Sequence, residues 1–284
     1  MSYFKKYLRN SSKIIICEVN GGIGNQIFQL ASSYCFASKT GCKIILDTRG
    51  CDSADNFHAS WHLNLLVKEM QKELSIKLRR SDNFVKIFRR KILDYFWKPT
   101  IIPKTEIVFQ YMLDLPFKGS GKFIFIPTIE DRFLAEEALR LGFGRFFQRL
   151  QFNFEIDNND KTDTIVGLHV RRSDAITSNR FVPDAWFIKV LKQFTNKDTT
   201  FFCFTDSKEK LSFISNVNNV VVFGPEMHPL ESIVRLSQCD VLVLSSSTFS
   251  FWAAAISESK RIISPITSEA SYIPLGTNVS YVTI

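Results

Sequence analysis

Apolar residues in this chain come in short runs closed by glycine turns or polar breaks, the pattern of strands covered on both faces. Residues 14–19 form the first such run, 20–24 a tight glycine turn, 26–38 an apolar-periodic helix and 42–47 a second strand. A mostly helical stretch is expected over 59–97, with shorter strands near 106–109 and 122–126 and helical spacing from 129 to 150. Residues 157–163, Asp-Asn-Asn-Asp-Lys-Thr-Asp, are polar, acidic and free of large apolar side chains, and they mark the clearest boundary. After it, strands are predicted at 164–170, 200–205, 219–223, 240–244 and 260–264, and helices near 184–194, 208–215, 229–237 and 248–258. Such alternation predicts parallel sheets with right-handed crossovers. The expected fold class is therefore α/β, with two domains, 1–158 and 159–284, and a ligand cleft between them.

Composition narrows the function classes. A chain of 284 residues with 45% apolar content can bury a sizeable core. No apolar run approaches the roughly 18 residues that span a bilayer, and the first residues show no signal-peptide pattern. The six cysteines (Cys17, Cys35, Cys42, Cys51, Cys203 and Cys239) include no C-x-x-C pair and have no histidine at ligand spacing. Most sit in apolar runs, as buried thiols do in a reducing compartment, so a cytoplasmic address is expected and a zinc site is not.

Charge is uneven. Residues 1–13 carry +4, residues 68–104 carry +7, and the remainder sums to −3 of the net +8. Within 68–104, Phe84, Val85, Ile87, Phe88, Ile92 and Leu93 share one helical face, with Lys86, Arg89, Arg90 and Lys91 largely off it. That pattern suits a helix lying on an anionic membrane surface, and equally a helix packed on its own domain with a solvated basic face. No nucleic-acid recognition module is readable, so nucleic acid is not an expected partner.

Three strand ends carry candidate chemistry. The run at 164–170 ends in His169-Val170-Arg171-Arg172-Ser173-Asp174, two guanidiniums followed by a carboxylate. Guanidinium forks match phosphate oxygens, and open α/β sheets bind ligands at the carboxyl ends of their strands. The same residues also suit a surface arginine pair bridged to Asp174. Asp206 ends a second strand, where its carboxylate can read guanine N–H groups or cap the next helix. A third strand ends in Ser245-Ser246-Ser247-Thr248-Phe249-Ser250, more hydroxyls than a helix cap alone requires. In the first half, Gly21-Gly22-Ile23-Gly24-Asn25-Gln26 joins strand to helix. Its glycines let backbone N–H groups approach an anion, and its carboxamides can bond sugar hydroxyls or phosphate. It is neither a dinucleotide fingerprint nor a Walker loop.

Together these segments resemble the α-1,2-fucosyltransferases of glycosyltransferase family 11 and, more distantly, the α-1,6-fucosyltransferases. Residues 21–29 are close to G-G-L-G-N-Q-L-F-Q, residues 169–174 to H-x-R-R-G-D, and Val182-Pro183-Asp184-Ala185-Trp186-Phe187 to L-P-x-x-Y-Y. Phe202-Cys203-Phe204-Thr205-Asp206 is similar to F-I-F-S-D, and Ser247-Thr248-Phe249-Ser250-Phe251-Trp252, led by Gln238-Cys239-Asp240, to the S-T-F-S-W-W segment. Ser173 stands for the family's glycine and Phe251 for its first tryptophan. The family's G-Y-F-Q-S is replaced by Phe125-Ile126-Pro127-Thr128-Ile129, ahead of Glu130-Asp131-Arg132-Phe133.

The resemblance implies two Rossmann-like domains facing a cleft (GT-B type), with the acceptor on the side of residues 1–158 and a GDP-sugar bound by 159–284. It implies inverting, metal-free transfer of L-fucose from GDP-L-fucose to a galactoside 2-hydroxyl of an oligosaccharide. The acceptor would belong to a bacterial surface polysaccharide or O-antigen and would be lipid-linked at the inner membrane face. No further cofactor is expected, and no D-x-D or histidine cluster offers a metal site. By resemblance Arg171 is the main diphosphate ligand, and Arg172 either shares that charge or holds Asp174. Ser247, Thr248 and Ser250 complete the cradle with Gly22 and Gly24, while His169 and Asp206 face guanine. Asn25 is expected to position acceptor or diphosphate. Beside two arginines Asp174 is expected to be a weak base, holding the forks more than taking a proton. The altered 125–129 segment keeps two other readings open: another GDP-deoxysugar such as colitose, or a non-catalytic nucleotide-binding or membrane-docking relative.

Overall fold

The computed structural model describes residues 14–48, 51, 60–79, 123–126, 132–150, 152, 164–173, 175, 180–194, 199–259, 261–266 and 279–283. The expectations for 1–13, 80–104, 106–109, 127–131, 157–163 and Asp174 lie outside those residues. The chain divides into two compact units, each with a parallel sheet.

The first unit comprises Met1–Gly22, Phe28–Trp61 and Met70–Leu141. Its strands β1 (Ile14–Glu18), β2 (Lys43–Asp47), β3 (Ile76–Arg79) and β4 (Phe123–Ile126) lie in the order β3-β2-β1-β4. The helix after β1, α1 (Ile23–Thr40), ends where Gly41 takes φ +70° and returns its N–H to the Ala37 carbonyl at 2.7 Å, a left-handed cap that suits glycine. Residues 76–79 were expected to be helical but form a strand. Ile-Lys-Leu-Arg alternates with period two, and Ile76 pairs in parallel with Ile44. Of the helical stretch expected over 59–97, the described helix is α2 (Asn64–Met70).

The second unit takes in Ile23–Ile27, His62–Glu69 and Gly142–Ile284. Helical residues 132–150 divide into α3 (Arg132–Arg140), which belongs to the first unit, and α4 (Arg145–Gln148), which belongs to the second, around Gly142 with φ +92°. The sheet holds β5 (Thr164–Val170), β6 (Thr199–Thr205), β7 (Val220–Phe223), β8 (Val241–Val243), β9 (Arg261–Ile266) and β10 (Val279–Thr283). Its order, β10-β9-β8-β5-β6-β7, is the 3-2-1-4-5-6 order of dinucleotide-binding folds when counted from β5. The crossover helices are α5 (Asp184–Leu191), α6 (Pro229–Ser237) and α7 (Thr248–Ala255). A short 3-10 turn, Ser212–Asn216, stands where a helix was expected over 208–215, and β10 was not anticipated.

Val166, Leu168, Val170, Val243 and Ile263 of the sheet pack with Trp186, Phe187, Val190 and Phe213 in one buried cluster. At about 1.5–3 kcal/mol per buried large side chain, this cluster fixes the strand ends that carry the polar groups. The α/β class with two Rossmann-like units of GT-B type is the one expected.

Candidate functional site

Strand order reverses between β5 and β8, and their carboxyl ends carry the polar residues singled out in sequence. Ser245, just past β8, spans the switch point. Its hydroxyl donates to the His169 carbonyl at 2.7 Å and accepts the Arg171 N–H at 3.2 Å. The backbone of the half-buried Arg171 is thus tied to the end of β8. Asp206, past β6, holds the same turn from the other side. Its Oδ1 accepts the Arg172 N–H at 2.6 Å and the Ser173 N–H at 3.4 Å. It therefore caps the backbone of the neighbouring strand end rather than a following helix. Oδ2 has no hydrogen-bond partner among the described residues.

The two arginines part company. Successive residues of an extended segment point to opposite sides, and Arg172 turns inward, 8% exposed. Its guanidinium pairs with Asp184 and donates to the Val182 carbonyl at 2.8 Å and to the Arg171 carbonyl at 3.3 Å. The Phe181, Phe187 and Phe213 rings lie 5.1, 5.6 and 6.0 Å from it. Arg172 fastens the segment that opens α5, and its carboxylate partner among the described residues is Asp184, while the expected contact with Asp174 lies outside those residues. Sequence reading missed Asp184, although an acid opening a helix directly after an apolar Val-Pro pair is a visible signal.

The hydroxyl run is buried and largely self-partnered. Ser247, wholly buried, caps α7 by accepting the Ser250 N–H at 3.1 Å, and its hydroxyl donates to Ser250 Oγ at 3.2 Å. Ser250, also wholly buried, meets His169 Nδ1 at 2.7 Å. These two hydroxyls lie under the strand ends and not in an open cradle. The His169 ring stacks on Phe249, with centroids 4.4 Å apart and planes 19° from parallel. Burial drives the His169 pKa down to about 3 against an upward pull from Asp206, and Arg171 adds to the fall, so the imidazole is neutral at physiological pH.

The glycine turn has separate reasons for its glycines. Gly21 takes φ +74°, which favours glycine. A Cβ on Gly22 would meet nothing within 4 Å, leaving its backbone open to approach. A Cβ on Gly24 would lie 2.5 Å from Thr248 Oγ1 and 2.6 Å from the Phe249 nitrogen. Gly24 is therefore required by packing, and its carbonyl accepts Trp252 Nε1–H at 3.0 Å. Asn25 Oδ1 accepts from Thr248 Oγ1 at 2.6 Å, and the wholly buried Gln26 accepts the His62 N–H at 3.2 Å. The two carboxamides thus brace this first turn of α1 against Thr248 and His62. Gln29 clasps Asn20, accepting its N–H at 3.0 Å and donating to its carbonyl at 3.3 Å.

Among the described residues, no group of three or more His, Cys, Asp or Glu side chains could hold a metal ion, and no helix is long and apolar enough to cross a membrane. All six cysteines are buried and free, and burial pushes the thiols of Cys17, Cys203 and Cys239 up to about 12.

The sequence model of Glycosyl transferase family 11 matches residues 2–272. An alpha-1,2-colitosyltransferase of Escherichia coli is 25% identical over 270 residues, spanning 85% of this chain and 87% of that protein. Among solved structures, NodZ alpha-1,6-fucosyltransferase soaked with GDP-fucose is similar with a TM-score of 0.55, at 16% identity over 87% of this chain and 93% of that one. The ADP-heptose lipopolysaccharide heptosyltransferase II of E. coli reaches 0.50, at 11% identity over 95% and 90%. At such identities these two likenesses describe the fold.

Proposed function

The chain belongs to glycosyl transferase family 11, and from that membership we propose that this glycosyltransferase moves L-fucose, or its deoxygenated relative colitose, from a GDP donor to a galactoside 2-hydroxyl. The observation that carries this reading is Arg171, held by Ser245 at the point where the strand order of the second sheet reverses. As the sugar departs, charge accumulates on the GDP diphosphate while the ring becomes oxocarbenium-like. A guanidinium fixed there lowers the barrier by meeting that charge without reorganising. In this reading His169 and Asp206 face the nucleoside, with Asp206 Oδ2 as acceptor for guanine N–H groups. Asn25 and Thr248 act as one braced pair. Transfer inverts the anomeric carbon, and the charge is met by protein groups alone.

The fucosyl reading rests on the motif set of residues 21–29, 169–174 and 247–252. The colitosyl reading rests on the E. coli relative, an alpha-1,2-colitosyltransferase, together with the altered segment 125–129. The basic residues of 1–13 and 68–104 suit an acceptor carried on a lipid at an anionic, cytoplasm-facing membrane surface. Flotation with vesicles containing anionic lipid tests that part, and equal recovery with neutral vesicles would remove it.

The deciding experiment is a transfer assay with GDP-L-fucose, GDP-colitose and GDP-mannose on a panel of β-galactosides, with EDTA present, reading the linkage by NMR. A 2-linked fucosyl or colitosyl product supports the proposal and names the donor. Donor binding with neither transfer nor hydrolysis across the panel would contradict it and favour a non-catalytic nucleotide-binding protein.

A further inference from the structure

We propose that Ser247 and Ser250 are positioning residues that fix His169 as its Nε2–H tautomer and so present a constant hydrogen-bond donor to an acceptor atom of the bound nucleotide. The proposal rests on the GDP-sugar reading above, which puts His169 on the nucleoside side.

The direction of the hydrogen bonds follows from counting donors. Ser247 Oγ accepts the Ser250 N–H at 3.1 Å and lies 3.2 Å from Ser250 Oγ. With Ser247 fully enclosed, its hydroxyl proton finds an acceptor among the described residues in Ser250 Oγ alone. Ser250 Oγ, having accepted that proton, turns its own toward His169 Nδ1 at 2.7 Å. Reversing the chain, with Nδ1–H donating to Ser250 and Ser250 to Ser247, strands the Ser247 proton. An unmet buried donor of this kind costs about 1–3 kcal/mol. Nδ1 is therefore the acceptor and Nε2 carries the proton.

Nothing among the described residues takes that Nε2–H. Nε2 is also absent from the fully enclosed polar atoms without a partner, so the 5% exposure of the residue includes this edge of the ring. Stacking on Phe249 sets the plane of the ring while the serine relay sets its protonation pattern. Among the described residues, the charged groups that act on the ring are Asp206, from the end of β6, and Arg171, from the end of β5. Burial outweighs the upward pull of Asp206 and Arg171 adds to the fall, so the donor stays uncharged and unchanged across the physiological range. This gives the buried serines a role that open ligand contacts would not: they act on the nucleotide through His169.

The test is nitrogen-15 NMR of histidine-labelled protein, with titration of GDP by calorimetry on the same samples. The chain has four histidines, so a His169→Gln sample assigns the signal. In the parent protein, His169 should show a protonated Nε2, a bare Nδ1 and no titration between pH 5 and 8. Ser250→Ala should mix the tautomers and weaken GDP binding about 3- to 10-fold, the worth of one neutral hydrogen bond. A parent spectrum with the proton on Nδ1 while GDP still binds would overturn the proposal and leave the donor reading standing. Unchanged tautomer and GDP affinity in Ser250→Ala would also overturn it. A locked Nε2–H in a parent protein that binds no GDP would overturn the nucleotide reading while upholding the serine lock.

Discussion

Thr248 Oγ1 donates to Asn25 Oδ1 at 2.6 Å, joining residues 223 positions apart in the sequence. Beside it, Trp252 Nε1–H reaches the Gly24 carbonyl at 3.0 Å, and the space over Gly24 is filled by the backbone of Thr248 and Phe249. The start of α1 and the start of α7 are thereby one bracket, built from two segments that sequence comparison treats as separate signatures.

That bracket predicts coupling. Thr248→Val keeps the shape and loses the donor, which should cost about 1 kcal/mol of stability. In a double-mutant cycle with Asn25→Ala, urea unfolding should give a coupling energy of about 0.5–1.5 kcal/mol. Simple additivity would mean the bond contributes nothing in solution.

The glycines should separate cleanly. Gly24→Ala forces a methyl to within 2.6 Å of backbone atoms that cannot rotate away, so it should destabilise by about 1–3 kcal/mol. Gly22→Ala has open space and φ −66°, so its midpoint of unfolding should stay close to that of the parent, and any loss should appear in transfer rate. Thermal unfolding beside initial rates distinguishes the two, and equal stability losses would refute the packing account.

Arg172 should read as a stability residue. Truncating it leaves the Val182 carbonyl unmet and opens a space among Phe181, Phe187 and Phe213. Breaking a fully buried pair costs roughly 3–5 kcal/mol. The Asp184 side chain is 41% exposed, so Arg172→Ala should lose about 2–3 kcal/mol, still a large fraction for one residue. Arg172→Lys should recover little, because an ammonium cannot keep the forked contacts. Urea unfolding of both variants checks this, and a fully stable Arg172→Ala would return the residue to the ligand side.

Acid should destabilise the protein through His169 before it reaches the carboxylates. The folded-state pKa is about 3 against an ordinary value of 6.5, so between those limits the unfolded chain binds a proton that the folded chain refuses. Stability must therefore fall as pH drops through that window. Glu137, held at about 2 chiefly by its bonds to Arg140, contributes stability above pH 4.5 that is lost as pH falls toward 2. The interval from 6.5 to 4.5 thus belongs to His169, with His228, lowered by partial burial, adding in the same sense. Thermal midpoints of His169→Gln should fall less steeply over that interval than those of the parent, and parallel curves would contradict the assignment.

How far the sequence was legible follows from local physics. Residues 164–170 and 200–205 read correctly because strands covered on both faces are unbroken apolar runs, and Arg171 and Asp206 followed as their ends. Residues 76–79 looked helical because four alternating residues carry too little pattern to outweigh their surroundings, and pairing with β2 decides the matter. Adjacent arginines look equivalent in one dimension, but alternation at a strand end sends one inward to Asp184 and leaves the other half-exposed. The serines looked like free donors because burial is a tertiary fact. Ser247 and Ser250 are enclosed by packing that no local window contains.

Calorimetric titration of GDP into the parent protein and into Arg171→Ala, with EDTA present, tests the central claim most directly. The account predicts binding to the parent and, in a variant whose unfolding midpoint is unchanged, a loss of transfer of about 10²–10³-fold with GDP affinity sharply reduced. No GDP binding by the folded parent protein, or an Arg171→Ala variant that binds GDP and transfers within about tenfold of the parent, far short of the loss expected for a preorganised donor, would contradict it.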